Sequence, residues 1–289
     1  MKKYTTLGKL LSDWREEFGV SQAELAAMVD VDVRTVQRWE RDDTLVKPDK
    51  EAELVEATFL PYQLVRNLNS PSPIPTYYDF ALRKYSLSEM DKDLPAARWL
   101  RERIHFVDER VRNLRTEADL ENVMRYLEYA AKGKQVLSRH VIREALRLLP
   151  ALNLYVTDEA GFYSGHAIVL PLREESYRAL RSRERAPEAL TPADLTDHRM
   201  SERAIFFAYS MAADNNDNVY LLLGAVLRFL KEWSDRKYLW TAITDRYDSY
   251  YLQTVMGLQV VWEDTGNLSP FGAPYRFVEG NFKDFLAEE

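Results

Sequence analysis

Residues 20–41 read VSQAELAAMVDVDVRTVQRWER, and this stretch decides the fold of the first part of the chain. Ser21 and Glu24 have the spacing of a capping box, in which each side chain accepts a hydrogen bond from the other residue's backbone amide. Asp32 is a second residue suited to the start of a helix. The spacing predicts two short helices, Gln22–Val29 and Val33–Glu40, joined by a three-residue turn. This arrangement is a helix-turn-helix.

The second predicted helix has two chemically different sides. Its apolar residues, together with those of the first helix, fall on one side, and a small alanine lies where the helices cross: Leu25, Ala26, Val29, Val36 and Trp39. Arginine, threonine and glutamine occupy the opposite side of the second helix. Such a surface fits the DNA major groove, where arginine can donate two hydrogen bonds to guanine. Two capped helices that merely pack in a helical domain, or bind protein, are the alternative, and the one-sided polar surface favours DNA.

Residues 8–64 resemble the Cro/repressor-type helix-turn-helix family, also called the xenobiotic-response-element (XRE) family. The resemblance lies in the runs Ser21–Ala26 (S-Q-x-E-L-A) and Thr35–Glu40 (T-V-x-x-W-E). Asp30 stands where the family usually has glycine, and aspartate tolerates the left-handed conformation better than most residues. The resemblance implies a double-stranded DNA operator with two half-sites, and therefore a homodimer. It places Val33, Arg34, Gln37 and Arg38 at base edges, and Gln22, Thr35 and Arg41 at phosphates.

A proline-rich stretch separates two parts of different composition. Asn67–Thr76 reads NLNSPSPIPT, and its alternating prolines fix φ and remove amide donors. This composition predicts a semi-rigid, extended linker. We therefore expect an all-α helix-turn-helix domain over residues 1–66, a linker over 67–76 and a second domain over 77–289.

The second domain changes its period along the chain. Residues 95–150 have helical patterning, including an amphipathic helix over 98–115, and after Pro150 the pattern turns towards that of strands. Strands are predicted at 152–157, 164–170, 203–213, 238–243 and 258–263, and helices at 218–231 and 248–256. The order predicts an α/β (α+β) domain.

This order of elements resembles the acetyltransferase fold of the GCN5-related (GNAT) family. The resemblance implies acetyl-CoA as a cofactor and aligns Gly224 with the pyrophosphate-binding motif [QR]-x-x-G-x-[GA], with Asn218 at the helix start. Leu221 replaces the Gln or Arg of that motif, and Val226 replaces its small residue. Gln253 stands at the position of the family's frequent general-acid tyrosine. These departures favour a domain without catalytic residues over an enzyme.

Composition excludes several further classes of protein. The 289 residues include no cysteine, which excludes disulfides and cysteine-based zinc sites, and no glycine spacing suits a Rossmann or P-loop phosphate site. The four histidines are widely scattered, so no metal site is predicted. No apolar run is long enough to span a membrane, and we expect a cytoplasmic protein. The net charge is −7, of which residues 1–66 contribute −3.

Together these observations predict a sequence-specific DNA-binding transcription regulator with a GNAT-like C-terminal domain that senses a ligand, dimerises, or both. The ligand would be a small molecule or an acyl-CoA. One alternative is an acyl-CoA-dependent N-acyltransferase that carries a helix-turn-helix as a targeting domain. Another is that the C-terminal domain only binds other proteins.

Overall fold

The computed structural model describes residues 1–88, 96–233 and 236–287. The described residues divide into two compact units. The first unit contains residues 1–88, Thr157–Ser164 and Ala213–Asn216. The second contains residues 96–156, Gly165–Ala212, 217–233 and 236–287.

The first unit is a set of short helices around one apolar core. The helices are α1 (Leu7–Phe18), α2 (Gln22–Met28), α3 (Val33–Glu40), α4 (Pro48–Thr58) and α5 (Tyr62–Leu68). Leucines of α1, α2, α4 and α5 meet Val36 and Trp39 of α3 in this core, where all of them are buried. The helix-turn-helix therefore rests on a buried hydrophobic base, which supplies most of its stability because such short helices are marginal alone.

The capping signals of the predicted helix-turn-helix are all present. The Ser21 hydroxyl accepts from the Glu24 amide at 3.1 Å, and the Glu24 carboxylate accepts from the Ser21 amide at 2.7 Å. Asp32 accepts from the Arg34 amide at 2.8 Å. Asp30 has a φ of +50°, the left-handed conformation that lets the chain turn between α2 and α3. The predicted helices are confirmed, with α2 ending at Met28 and Val29 as its C-cap.

Three short strands complete the first unit, and the sequence did not predict them. They are β1 (Lys2–Tyr4), β2 (Thr76–Asp79) and β3 (Lys84–Ser86). Both neighbouring pairs are antiparallel, and Lys3 lies opposite Tyr77 in the register of β1 with β2.

The proline-rich stretch lies within the first unit, which differs from the predicted division of the chain. Asn69 is buried and exchanges hydrogen bonds with the backbone of Val46, at 2.9 Å from the Val46 amide and 2.8 Å to its carbonyl. The Ile74 amide donates to the Asn67 carbonyl at 2.8 Å. These bonds tie the stretch to Val46, which precedes α4, and to the end of α5, and Thr76 then begins β2. Composition alone cannot tell such a return loop from a linker.

A larger mixed sheet forms from β4 (Val111–Asn113), β5 (Leu154–Thr157), β6 (Tyr163–Pro171), β7 (Arg203–Ala213), β8 (Lys237–Thr244), β9 (Gln259–Leu268) and β10 (Pro274–Gly280). Among the described residues its strand order is β4-β5-β6-β7-β8-β10-β9. β7 and β8 are parallel, while β4 with β5, β8 with β10, and β9 with β10 are antiparallel. The predicted strands are all present, in the order that the resemblance to the GNAT fold implies, and β10 and β4 are additional.

The remaining helices precede, connect or follow these strands along the chain. They are α6 (Ala97–Arg103), α7 (Glu117–Ala131), α8 (Arg139–Leu148), α9 (Glu174–Arg181), α10 (Asn216–Glu232), α11 (Tyr247–Val255) and α12 (Lys283–Ala287), with short 3-10 helices at Pro150–Leu152, Pro187–Ala189, Pro192–Asp194 and His198–Met200. Among the residues that the structure describes, no helix combines the length and the apolar character that crossing a bilayer requires.

The prediction of a single amphipathic helix over residues 98–115 was wrong. α6 ends at Arg103, and Asp108 accepts from the Arg110 amide at 2.9 Å in a turn that leads into β4. Phe106 and Val107, counted as part of the apolar face, are exposed at 50% and 72%. Val111–Asn113 instead forms a strand that pairs with β5. The local sequence around Val111 carries no information about this distant partner, so the helical pattern was misleading.

Candidate functional site

α3 is held at the surface of the first unit by a close contact with α1. A Cβ atom on Gly8 would lie 2.7 Å from the Glu40 carbonyl oxygen and closer still to that of Trp39. The Gly8 amide donates to the Asp42 carboxylate at 3.1 Å. Only glycine allows the first turn of α1 to approach the end of α3 in this way.

A polar network fixes the same helices relative to one another. The Arg15 guanidinium donates to both carboxylate oxygens of Glu40, at 2.5 and 3.1 Å, and this bond raises the pKa of Arg15. The Gln22 amide nitrogen donates to Glu40 at 2.6 Å, and Gln37 donates to Gln22 at 3.3 Å. The Glu40 carboxylate of α3 therefore links α3 to α1 through Arg15 and to α2 through Gln22. The bond between Gln37 and Gln22 joins α3 to α2 a second time.

The outer face of α3 carries positive charge that no carboxylate of the described residues neutralises. Arg34, Arg38 and Arg41 are exposed, and their spacing of four and three residues places them on one side of the helix. Within the described part of the chain, no carboxylate lies within ion-pair distance of any of the three. Some exposed arginines of the second unit, in contrast, form ion pairs with neighbouring glutamates: Arg143, Arg147 and Arg178. An anionic ligand would find three available guanidinium groups on α3.

The other residues expected to contact DNA have different surroundings. Val33 is half-buried and packs against the core, so only part of its side chain remains for a base. Thr35 is half-buried, and its amide donates to the Asp32 carbonyl at 2.8 Å. Gln22 and Gln37 already share a hydrogen bond, which sets the direction of both amides. The structure thus brings all seven residues to one end of the first unit, and their contacts with DNA stay a prediction.

The residues that position this face were not predicted from the sequence. Gly8 and the ion pair of Arg15 with Glu40 act on α3 without belonging to its outer side. Gly8 left a weak signal, because a close approach of backbone is one of several reasons for a glycine near a helix start. The ion pair left none, since residues 25 positions apart give no local pattern.

The second unit contains an opening between its two parallel strands. β7 and β8 pair from Arg203 with Lys237 as far as Ala208 with Ala242, and both strands continue beyond that pair. At the separation, the Tyr209 hydroxyl accepts from the Leu137 amide at 3.0 Å, and burial raises the pKa of Tyr209 to about 12. Ser210 lies 2.9 Å from the buried His166 ring.

The residues that the GNAT resemblance assigns to a cofactor do not form its phosphate loop. α10 begins at Asn216, so Gly224 lies inside the helix, where its amide pairs with a carbonyl four residues earlier. A Cβ on Gly224 would lie 3.0 Å from the Arg103 carbonyl oxygen, so the glycine serves close packing against α6. Asn218 is buried in the first turn of α10. Gly224 does not fit acetyl-CoA as expected, and a role for Asn218 stays a prediction.

No group of three or more histidine, aspartate or glutamate side chains in the described ranges is arranged to hold a metal ion.

Comparison with known proteins identifies the N-terminal motif. Residues 11–62 match the model of the helix-turn-helix family HTH_3. This range contains α2, α3 and all seven residues expected at DNA. No curated protein sequence matches the chain.

Several solved structures are similar to this chain over its larger part. The polyamine N-acetyltransferase of Drosophila melanogaster has 13% identity and a TM-score of 0.39, over 59% of this chain and 98% of that one. The ribosomal-protein-alanine N-acetyltransferase of Brucella melitensis has 13% identity and a TM-score of 0.36, with the same coverage. The NatC complex bound to Gag peptide and CoA has 14% identity and a TM-score of 0.38, over 59% and 96%. At these identities and TM-scores, the function of none of these proteins carries over to this chain.

Proposed function

We propose that this protein is a sequence-specific DNA-binding transcription regulator whose second unit senses a ligand, dimerises, or both. The observation that carries the proposal is the outer face of α3, where three exposed arginines have no ion-pair partner in the described residues. The helix-turn-helix match over residues 11–62 supports it. A buried base and the Glu40 network hold this face rigid, which lowers the cost of binding.

The chemistry of the face divides into two roles. Arg34, Arg38 and Gln37 lie where a helix in the major groove meets base edges, and the methyl groups of Val33 would touch thymine. Gln22, Thr35 and Arg41 lie beside them and would contact phosphates. Because residues 1–66 carry a net charge of −3, we expect few phosphate contacts and a modest dependence of affinity on salt.

An operator for this motif has two half-sites about one helical turn apart. One copy of the chain carries one such recognition helix, so we propose that a homodimer binds the operator. We further propose that the protein acts in the cytoplasm.

Selection of binding sites from random duplex DNA tests the proposal. The full chain at a stated, moderate salt concentration should enrich one sequence motif, while Arg34→Ala and Arg38→Ala should each relax it at one position. Arg115→Ala is the matched control, because Arg115 is an exposed arginine of the second unit. Failure of the unmodified chain to enrich any motif would contradict the proposal.

A second candidate function is N-acyl transfer, and the opening between β7 and β8 favours it. The strands part after Ala208 and Ala242, and a serine and a histidine lie beside the opening. Calorimetric titration with acetyl-CoA tests whether the second unit binds the cofactor, and an assay of acetyl transfer to an acceptor amine separates an acyltransferase from a regulator that only binds an acyl-CoA. We expect no binding heat, since Gly224 packs against α6. Saturable binding together with acetyl transfer would support the acyltransferase.

A further inference from the structure

The larger sheet has one outer strand that is long and has a neighbour on one side only. In the strand order of the described residues, β4 and β9 are the outermost strands. β4 has three residues, whereas β9 has ten and spans about 33 Å. Only β10 pairs with β9, so the backbone groups along the other side of β9 have no strand partner in the part of the chain that the structure describes. Such an edge is a template for another strand.

The sequence of β9 lacks the features that usually protect an exposed edge. Residues 259–268 read QVVWEDTGNL, with no lysine and no proline. The two charged residues of this strand are neutralised within the chain. Glu263 accepts from Nε of Arg276 at 2.5 Å, and Asp264 forms an ion pair with Arg183. A second strand that approaches this edge would therefore meet no uncompensated charge on β9.

Other elements contact β9 through the two faces of the sheet. On one face, the Tyr250 ring of α11 lies 4.2 Å from the guanidinium carbon of Arg276. Trp262 lies opposite Phe277, the neighbour of Arg276, and so belongs to the other face. There its indole Nε1 donates to the Arg181 carbonyl at the end of α9, at 3.0 Å. None of the ten residues of β9 is buried all the same, and the position that remains to be filled is the edge.

Apolar side chains of β9 and of the turn after it are exposed. Val260 is exposed at 39%, Leu268 at 61% and Phe271 at 37%. Val260 and Leu268 lie opposite Val278 and Pro274 of β10, so both point to the face on which α11 packs. A strand added to β9 would cover part of this apolar surface, which adds hydrophobic stabilisation to the backbone hydrogen bonds.

We propose that two copies of this chain join at β9, each pairing this strand antiparallel with the β9 of the other. Antiparallel pairing of a strand with its own copy is closed by a two-fold axis, so it gives a dimer and no longer chain of subunits. A second β9 offers an edge of equal length that carries no unpaired charge. The other outer strands among the described residues, β1, β3 and β4, have three residues each. The inference rests on the homodimer part of the proposed function and names the surface that forms it.

Single cysteines along β9 test the pairing directly, because the chain contains no cysteine of its own. Each residue from 259 to 268 is replaced in turn by cysteine, the full chain is mildly oxidised, and covalent dimer is measured on a denaturing gel. We expect one maximum of cross-linking, at one position or at two adjacent ones. Yields should fall towards both ends of the strand, because equivalent residues of antiparallel partners move apart with distance from the two-fold axis.

Met200→Cys is the control for chance encounters, because Met200 is 85% exposed and lies outside β9. It should give only background cross-linking. Yields along β9 that are uniform, or no higher than that of Met200→Cys, would overturn the proposal.

Sedimentation of the full chain without DNA measures the dissociation constant of the dimer. Val260→Lys and Leu268→Lys should each raise this constant about tenfold or more, because each places two lysine charges against apolar surface in the interface. Val107→Lys is the matched control, since it changes an exposed valine outside β9, and it should leave the constant unchanged. The thermal midpoint of Leu268→Lys at a concentration where the chain is monomeric should equal that of the unmodified chain, which separates loss of pairing from loss of the fold.

A chain that sediments as a monomer at high micromolar concentration would overturn the proposal, and so would a dimer that neither lysine variant weakens. In the second case the two copies join elsewhere, and the proposed homodimer stands without this surface. Selection of DNA sites reads α3 and needs no contact at β9. A chain that enriches a motif but does not pair through β9 therefore keeps its proposed DNA-binding function.

Discussion

At the scale of single residues, the proposed function depends on three arginines that have no ion-pair partner among the described residues. Arg34→Ala and Arg38→Ala should each lower affinity for the selected operator about tenfold or more while changing affinity for random DNA little, because a guanidinium contact to guanine discriminates by about 1–3 kcal/mol. Competition binding against operators substituted at each position measures this. Equal losses on operator and random DNA would contradict base contact.

Arg41 has a different expected role, because it follows α3 as its C-cap and lies beside the helix end. Arg41→Ala should weaken binding to every duplex alike and reduce the slope of log affinity against log salt by about 1. Binding isotherms at several salt concentrations measure the slope. A loss confined to one operator position would instead place Arg41 at a base.

Gly8 is the residue whose substitution should matter most for the position of α3. Gly8→Ala puts a Cβ within 2.7 Å of the Glu40 carbonyl oxygen, so backbone must shift, and we expect a loss of about 1–3 kcal/mol in unfolding free energy. Urea denaturation measures it. Gly266→Ala is the control, since its Cβ would meet Asp264 Oδ1 at an ordinary 3.5 Å. Equal stability of the two variants would show that α1 adjusts without cost.

At the scale of elements, the start of α7 depends on one carboxylate. Asp119 accepts from Arg112 at 2.6 and 2.7 Å and from the Thr116 amide at 3.1 Å. Burial by itself would raise the pKa of Asp119, but these bonds outweigh it and hold the pKa well below its usual range.

A depressed carboxyl pKa contributes stability that is present above the unfolded value and is lost as the pH falls through the folded value. Asp119→Asn should therefore lower the unfolding free energy by about 2 kcal/mol at neutral pH. The difference from the unmodified protein should shrink as the pH falls below about 4. Urea denaturation across this range checks it, with Glu121→Gln as the control, because that carboxylate is mostly exposed. A difference independent of pH would show that charge at Asp119 is unimportant.

The elements also show what the sequence could predict. Ser21, Glu24 and Asp32 cap helices through bonds that span two or three residues, so α2 and α3 were predicted almost to the residue. Pairs between distant strands leave no such local signal. β1 was missed because its partner begins at Thr76, and β4 was missed because its partner begins at Leu154.

In the candidate site, too, local features were predictable and distant contacts were not. The spacing of the arginines of α3 predicted that they share one side of the helix, since a helix fixes which residues do so. The Glu40 network depends on contacts between separate elements, and only coordinates reveal that Arg15 of α1 lies beside Glu40 of α3.

At the scale of the whole molecule, the acidic charge of −7 makes nonspecific attraction to DNA weak. Affinity must then come from specific contacts, and a single recognition helix offers few of them. Two copies of the chain binding two half-sites would supply the remainder, because the second contact is made at a high effective concentration. The net charge thus favours the proposed homodimer, as the motif does.

Half-site spacing tests this requirement. Inserting about 5 base pairs between the half-sites turns one of them to the opposite side of the duplex, so affinity should fall towards that of a single half-site. Inserting about 10 base pairs returns both half-sites to the same side of the duplex and should recover part of the lost affinity. Sedimentation should show two chains bound per operator. DNA with one isolated half-site is the control, because it leaves the protein unchanged and gives the affinity of a single half-site. Affinity that is indifferent to spacing would mean that a monomer reads the operator and that the second unit has a task other than joining two copies.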